Sequence, residues 1–273
     1  MSIRDTVRGR VDSMMMQDVH QNSFDGIAAQ YARARPVAPR EAFDCIAAWI
    51  PPPATALEIG CGPGSATLCL VERGYRVHAV ELGAHLAERA RRRLSGHPFT
   101  VEVGRFEDAA LEPESFDLIA ASAAFHWLDR DQALAQMALA LRPGGGVALF
   151  WTQAGRELSD PDFGAALNDL YRDHAPGLQS NPAVLAQQAI DAAGAALGAD
   201  PHFADLEEHR FTEALEFDAP RFIDMLGTYS DHALLDSASR DRLHAAITHL
   251  IDARFGGSLL RQAVTRLFLA RRA

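Results

Sequence analysis

Short apolar runs alternate with stretches of helical spacing along most of this chain. Thr55 to Ile59, Tyr75 to Glu81, Phe99 to Val103, Ser115 to Ser122 and Val147 to Trp151 are rich in β-branched and small apolar residues and are bounded by Gly or polar positions, which predicts five buried strands. Helical spacing predicts a helix over about Arg40 to Ile50, stopped by Pro51-Pro52-Pro53. Further helices are predicted from Ser65 to a closing Gly74, over the run ending at Ser95-Gly96, and up to about Leu141. Strands alternating with helices predict a parallel sheet covered on both faces. The pattern then turns helical over Phe163 to His174 and Ala183 to Leu197, returns to period two over His209 to Phe217, turns helical again over Ser239 to Phe255, and ends in a last strand, Ser258 to Ala270. Residues 1 to 22 carry Val7, Val11, Met14 and Met15 at helical spacing beside Arg4, Arg8 and Arg10. That stretch reads either as a helix packed on a partner or over the site, or as an ill-ordered leader with a later start among Met14-Met15-Met16.

Composition narrows the class. The 273 residues are 48% hydrophobic with a net charge of −10, enough for a large core and contrary to a nucleic-acid surface, which needs a concentrated basic face. The densest basic run, Arg89, Arg91, Arg92 and Arg93, falls near a helix C-terminus, where cations are favoured. Cys45, Cys61 and Cys69 form no C-x-x-C pair and no metal spacing, which suits a reducing compartment. No signal-like start and no run of about 18 apolar residues is present, so a cytoplasmic protein without membrane contact is expected.

The chemistry centres on Leu57-Glu58-Ile59-Gly60-Cys61-Gly62-Pro63-Gly64, a strand, a tight turn and a helix start. The dinucleotide fingerprint needs a glycine at position 65, where Ser65 stands. A second acid, Glu81, ends the next strand roughly 20 residues on, where a carboxylate can accept hydrogen bonds from two ribose hydroxyls. A third element follows strand four: Phe116-Asp117-Leu118-Ile119, then Ser122 and Ala123, then Ala124-Phe125-His126-Trp127-Leu128-Asp129, at a strand end where open parallel sheets bind ligands.

The E-x-G-x-G-x-G pattern resembles the first motif of the class I S-adenosylmethionine-dependent methyltransferases, and F-D-L-I with A-F-H-W-L-D resembles their type 11 and trans-aconitate methyltransferase-like groups. The resemblance implies a Rossmann-like, doubly wound α/β fold: a seven-stranded, mostly parallel sheet whose last strand inserts antiparallel beside strand five, with helical lid insertions. The organisation expected is an N-terminal helical cap segment over 1–35, a core over 36–152 with 206–217 and 258–273, and lid insertions over 153–205 and 218–257. L-R-P-G-G-G at 141–146 matches the family's turn into strand five.

For the site, the resemblance implies S-adenosyl-L-methionine held by Glu58, Gly60, Gly62, Gly64, Glu81 and Leu82. Adenine would lie against Phe106 and Glu107, Arg105 taking the usual acidic slot. Ser122, Ala123, His126 and Trp127 would face the transferable methyl. Tyr31 and Arg35 fit the family's Y-x-x-x-R-P segment across the cleft. Catalytic candidates are His126, whose imidazole titrates near neutrality, and Tyr229 in the T-x-S element at 228–230, with His232 beside it. An acceptor already ionised needs no base, and Arg35 or another cation would then hold it. The expected function is methyl transfer to a small molecule, a secondary metabolite or an organic acid, by a monomer or homodimer with S-adenosyl-L-homocysteine as product. The alternatives are a peptide or protein methyltransferase and a cofactor-binding protein without transfer activity. No Asp/Asn-Pro-Pro-Tyr motif follows strand four, no magnesium cluster is evident, and the acid-rich lid disfavours RNA.

Overall fold

The computed structural model describes residues 36–154, 161–178, 182–228, 232 and 235–273. The strands are β1 (Ala54–Ile59), β2 (Tyr75–Glu81), β3 (Phe99–Val103), β4 (Phe116–Ser122), β5 (Leu141–Ala154), β6 (Phe203–Asp218) and β7 (Ser258–Arg272). The helices are α1 (Arg40–Trp49), α2 (Ser65–Val71), α3 (Ala84–Arg93), α4 (Arg130–Ala140), α5 (Pro161–His174), α6 (Pro182–Ala199), α7 (Ala219–Leu226) and α8 (Ser237–Arg254), with 3-10 turns at Phe106–Asp108 and Phe125–Trp127. One seven-stranded sheet has the order β3-β2-β1-β4-β5-β7-β6. β1 to β5 pair in parallel, and β7 lies antiparallel between β5 and β6, as the last strand was expected to do.

Apolar side chains of the central strands point alternately to two layers, as the period of two requires. Leu57, Ile119, Phe125, Met137, Leu149, Trp151 and Ile190 build one face, where α4 and α6 pack. Phe43, Ile46, Leu70, Tyr75, Ala90 and Phe150 build the other, under α1, α2 and α3. Burying each of the Leu, Ile, Met and Phe side chains among them contributes about 1.5–3 kcal/mol. A third cluster, with Phe163, Phe217, Phe222, Leu243, Ile247 and Ile251, forms a helical cap from α5, α7 and α8.

β7 joins cap and sheet. It pairs with β5 from Gly146↔Arg271 to Ala154↔Ala263, whereas its pairing with β6 continues to Asp218↔Ser258. A two-stranded ribbon thus runs past the end of β5 and plants Phe217 in the cap cluster. Lower on β7, Arg266 is almost wholly buried and bonds Asp191 of α6 at 2.5 Å and Glu208 of β6 at 2.8 Å.

Two local expectations are corrected. The sixth strand begins at Phe203 rather than His209, because residues from Phe203 on pair with the end of β7 across an irregularity between Ala204 and Glu207. Asp205 there has φ +54°, and the exposed Glu207 and Glu208 erase the apolar alternation that marks a strand. The glycine run at 142–146 is not a turn before the fifth strand but its first part: β5 starts at Leu141 and bulges, the register shifting between Phe116 and Leu118. Glycine is required because a Cβ at Gly146 would lie 2.1 Å from the Trp49 ring.

Candidate cofactor and acceptor site

The ends of β1, β2 and β4 converge on one locus, built first by main-chain hydrogen bonds. The Gly60 amide donates to the Val80 carbonyl at 2.8 Å, so the turn leaves β1 still tied to β2. Gly60 and Gly62 have φ of +66° and +54°, in the left-handed region that glycine enters without strain. A Cβ on Gly60 would meet the Ala124 Cβ at 2.7 Å, which places the end of the β4 segment directly against the turn. Among the described residues, chain neighbours aside, no atom lies within 4 Å of a Cβ built on Gly62, so none of them blocks a ligand's approach to the backbone there. Gly64 precedes α2 with φ +80°.

Glu81 joins the two acid-bearing strand ends. Its Oε2 accepts from the Gly62 amide at 2.8 Å and its Oε1 from the Gly83 amide at 2.8 Å. A carboxylate has about four acceptor positions, and two here orient the group between the glycine turn and the start of α3. Leu82, next to it, is half-buried. Glu58 is fully buried beneath the turn, where Thr67 Oγ1 donates to its Oε2 at 2.6 Å. Burial raises its pKa to about 7 from an ordinary 4.5; the Thr67 bond opposes this rise and the nearby Glu81 charge adds to it. Burial and the same two carboxylates also push the Cys61 thiol well up, which keeps it protonated and unreactive.

Phe106 is buried in its 3-10 turn. Glu107 lies in a polar network, with Arg105 at 3.7 Å and the Asp129 amide donating to it at 3.3 Å. At the end of β4, Ser122 and Ala123 are half-buried. Ala123 has φ +52°, a conformation costing a non-glycine residue on the order of 1 kcal/mol, and its amide is held by the Phe150 carbonyl at 2.8 Å. The Phe125–Trp127 turn then divides its side chains. Phe125 enters the core, while His126 and Trp127 are half-buried with rings 4.7 Å apart. Asp129 caps α4, its side chain accepting from the Gln132 amide. Trp151, at the end of β5, donates its indole N–H to His126 Nδ1 at 3.1 Å.

The structure thus brings together Glu58, Gly60, Gly62, Glu81 and the Ala123–Ala124 segment. Tyr31, Arg35 and Tyr229 lie outside the described residues, as does the stretch 1–22. His232 is buried in the cap, its Nε2 2.8 Å from the Tyr171 hydroxyl and its ring 5.9 Å from that of His244. Sequence reasoning missed Thr67, the Gly83 amide and Trp151. Thr67 sits in the first turn of α2 and Gly83 just before α3; Trp151 had no signal beyond ending a predicted strand beside strand four. Among the described residues no group of His, Cys, Asp or Glu could hold a metal ion, and no helix is long and apolar enough to cross a membrane.

Comparison with known proteins agrees with this geometry. Residues 57–149, which contain the glycine turn, Glu81 and the His126 segment, match the family model of a methyltransferase domain. Residues 57–149 thus carry a methyltransferase domain. An uncharacterized methyltransferase of Mycobacterium tuberculosis is 37% identical over 132 residues, 47% of this chain and 51% of that protein. A trans-aconitate 2-methyltransferase of Rhodopseudomonas palustris is 35% identical over 129 residues, 46% of this chain and 49% of that protein. This methyltransferase-domain chain therefore spans about half the length of the curated relatives it matches. Among solved structures, one described as a type II methyltransferase of Anaeromyxobacter dehalogenans superposes with a TM-score of 0.66 at 29% identity, covering 87% of this chain and 97% of that one.

The donor set fits S-adenosylmethionine, the cofactor of this family. The approach to Gly62, which no described residue blocks, would admit an extended ligand against the backbone, and an oriented carboxylate at Glu81 suits paired hydroxyls. Pyrophosphate is a poor fit, because two acids, Glu58 and Glu81, lie at the turn.

Proposed function

We propose that this protein transfers the methyl group of S-adenosylmethionine to a small-molecule acceptor. The carrying observation is the Gly62–Glu81 hydrogen bond, which makes the glycine turn and the second acid one site. Glu81 would hold the ribose, the backbone around Gly60 and Gly62 would lie under the methionine portion, and Phe106 would offer an apolar surface to the adenine. When bound, the cofactor supplies an electrophilic methyl on a sulfonium, so the protein's task is to align an acceptor in line with that methyl and to exclude water. The ends of β4 and β5, with His126, Trp127 and Trp151, are where the acceptor would sit. The helical cap from α5, α7 and α8 would supply the walls, a closed pocket suiting a small molecule. The name of the R. palustris relative, a trans-aconitate 2-methyltransferase, supports an organic acid among the candidate acceptors.

Calorimetric titration tests the reading. S-adenosylmethionine and S-adenosylhomocysteine should bind the wild type. Glu81→Ala should weaken both about 10- to 100-fold, the effect of losing charge-assisted hydrogen bonds worth about 1.5–3 kcal/mol. Binding of NAD in place of either ligand would overturn it.

A further inference from the structure

The basic run of the sequence is not spread evenly around α3. Arg89, Arg92 and Arg93, three and four residues apart, share one helical face, and together with Pro63 of the glycine turn they line a cavity of about 390 Å³. Small-molecule pockets span about 300–1,000 Å³, so this one has room for a compact ligand. Close packing of α3 on the turn builds it. A Cβ on Gly64 would lie 2.9 Å from Leu94 Cδ1 and 3.4 Å from the Ala90 Cα, so Ala90 and Leu94 abut the turn, and Arg89 and Arg93 each stand one residue before them. Arg93 reaches back to donate to Ser65 Oγ at 3.1 Å. Arg91 leaves the cluster and donates to the Val101 carbonyl at 3.0 Å.

The attraction of cations to a helix C-terminus accounts for Arg91 to Arg93, which occupy the last turn of α3, but not for Arg89, which precedes it. Like charges three and four apart on a helix repel, and Arg89 faces two of them. Its Nε is also buried without a hydrogen-bond partner, where a buried donor ordinarily finds an acceptor. Among the described residues the acid paired with this run is Glu88, 3.8 Å from Arg91 and from Arg92; neither Arg89 nor Arg93 is paired with an acid. In a chain of net charge −10, three guanidinium groups around one cavity are a local excess of positive charge.

An oxyanion would supply both the missing acceptor and the missing charge. One arginine fork can take both oxygens of a carboxylate, whereas a phosphate monoester presents three terminal oxygens and close to two negative charges at neutral pH, which matches three forks. We infer that the cavity between Pro63 and α3 is a binding site for a phosphate ester of a small molecule. Arg89, Arg92 and Arg93 hold the phosphoryl group, and the organic body rests on Pro63 and the apolar stems of the arginines. The cavity opens beside the later turns of α3, whereas Glu81 meets the Gly83 amide just before the first turn, so this is a second site and does not rest on the methyltransferase reading.

The test is calorimetric titration of the full chain at pH 7.5, in a phosphate-free buffer of low ionic strength, with phenyl phosphate, inorganic phosphate and benzoate. Phenyl phosphate should bind with a Kd below about 1 mM and inorganic phosphate more weakly. Arg89→Gln should weaken phenyl phosphate about 10-fold or more, and Arg92→Gln should act in the same direction. Arg91→Gln removes the same charge outside the cavity and should stay within about twofold of wild type. Benzoate should show no binding that depends on Arg89, and saturating S-adenosylhomocysteine should leave the phenyl phosphate affinity unchanged. No saturable binding of phenyl phosphate up to about 10 mM overturns the site. So does equal weakening by Arg89→Gln and Arg91→Gln, which would mean diffuse attraction, and so does displacement by S-adenosylhomocysteine, which would place the ligand in the cofactor locus. Inorganic phosphate binding as tightly as phenyl phosphate, or benzoate binding that Arg89→Gln removes, overturns the phosphate-ester class. Circular dichroism checks the fold of each variant. Should Arg89→Gln fail to fold, Arg92→Gln, whose side chain is 68% exposed, decides against Arg91→Gln. A protein that binds phenyl phosphate in this way but no S-adenosylhomocysteine keeps the site and loses the proposed function.

Discussion

Replacing Glu58 by Gln isolates the energetic burden of the acid beneath the glycine turn. In the folded protein its pKa is about 7, raised mainly by complete burial, against an ordinary 4.5. A group whose folded pKa is raised keeps its proton after the unfolded chain has lost its own, so stability falls as pH climbs through this window and levels off above the folded pKa. The full difference of 2.5 pH units corresponds to about 3 kcal/mol at 1.36 kcal/mol per unit. Between pH 5 and pH 8.5 the part realised is about 2.5 kcal/mol. Gln is neutral throughout, and its side-chain oxygen can still accept from Thr67, which bonds the wild-type carboxyl at 2.6 Å. Urea denaturation of both proteins across that range should therefore show Glu58→Gln gaining stability relative to wild type as pH rises, by about 2.5 kcal/mol in all. A difference that is flat with pH, or that shrinks toward pH 8.5, refutes the burial argument and means that Glu58 ionises no higher in the folded protein than in the unfolded chain.

Three further outcomes follow from contacts already described. Gly60→Ala drives a Cβ to 2.7 Å from the Ala124 Cβ at φ +66°, and should weaken S-adenosylhomocysteine binding more than about 10-fold by calorimetry, since the turn and the β4 end must part. Gly146→Ala drives a Cβ into the Trp49 ring at 2.1 Å and should lower stability by about 1–3 kcal/mol in urea, with cofactor affinity unchanged because that bulge lies at the start of β5, away from the turn. Arg266 holds the Asp191 and Glu208 carboxyls below their ordinary pKa through hydrogen bonds. Depressed acids contribute stability that is present above their unfolded pKa and lost as pH falls through the folded one. Arg266→Met should thus be less stable than wild type at pH 7, by about 1 kcal/mol given that the acids are partly exposed, with the gap closing toward pH 3.

The sheet was legible because its signals are local. β1 through β4 announce themselves as apolar runs ending at Gly, acid or turn residues, and the spacing from Gly60–Gly64 to Glu81 follows from one intervening helix. The resemblance supplied what spacing alone could not, the antiparallel placement of β7. Contacts between distant segments were hidden. Trp151 meets His126 only because β4 and β5 are neighbours in register, and Gly60 meets Ala124 only because β1 pairs with β4. The first stretch of β6 was missed because an exposed edge strand carries acids on both faces and so shows no alternation. Glycines at 144–146 suggested a turn because bulges and turns call for the same residue.

The ribbon of β6 and β7 beyond the end of β5 fixes what mechanical element connects cap to sheet. A flap on single-chain hinges swings about a few rotatable bonds. Here the connection is a ladder of paired strands from Ala263 to Ser258, which resists stretching and shear but twists with comparative ease. For motion of the cap about this ribbon, torsion is therefore expected to cost less than stretching or shear. Phe217, carried on the ribbon, would turn with it, so the cap cluster and the outer end of the ribbon are expected to exchange amide hydrogens as one unit, which a hydrogen-exchange profile would check against β1 to β4.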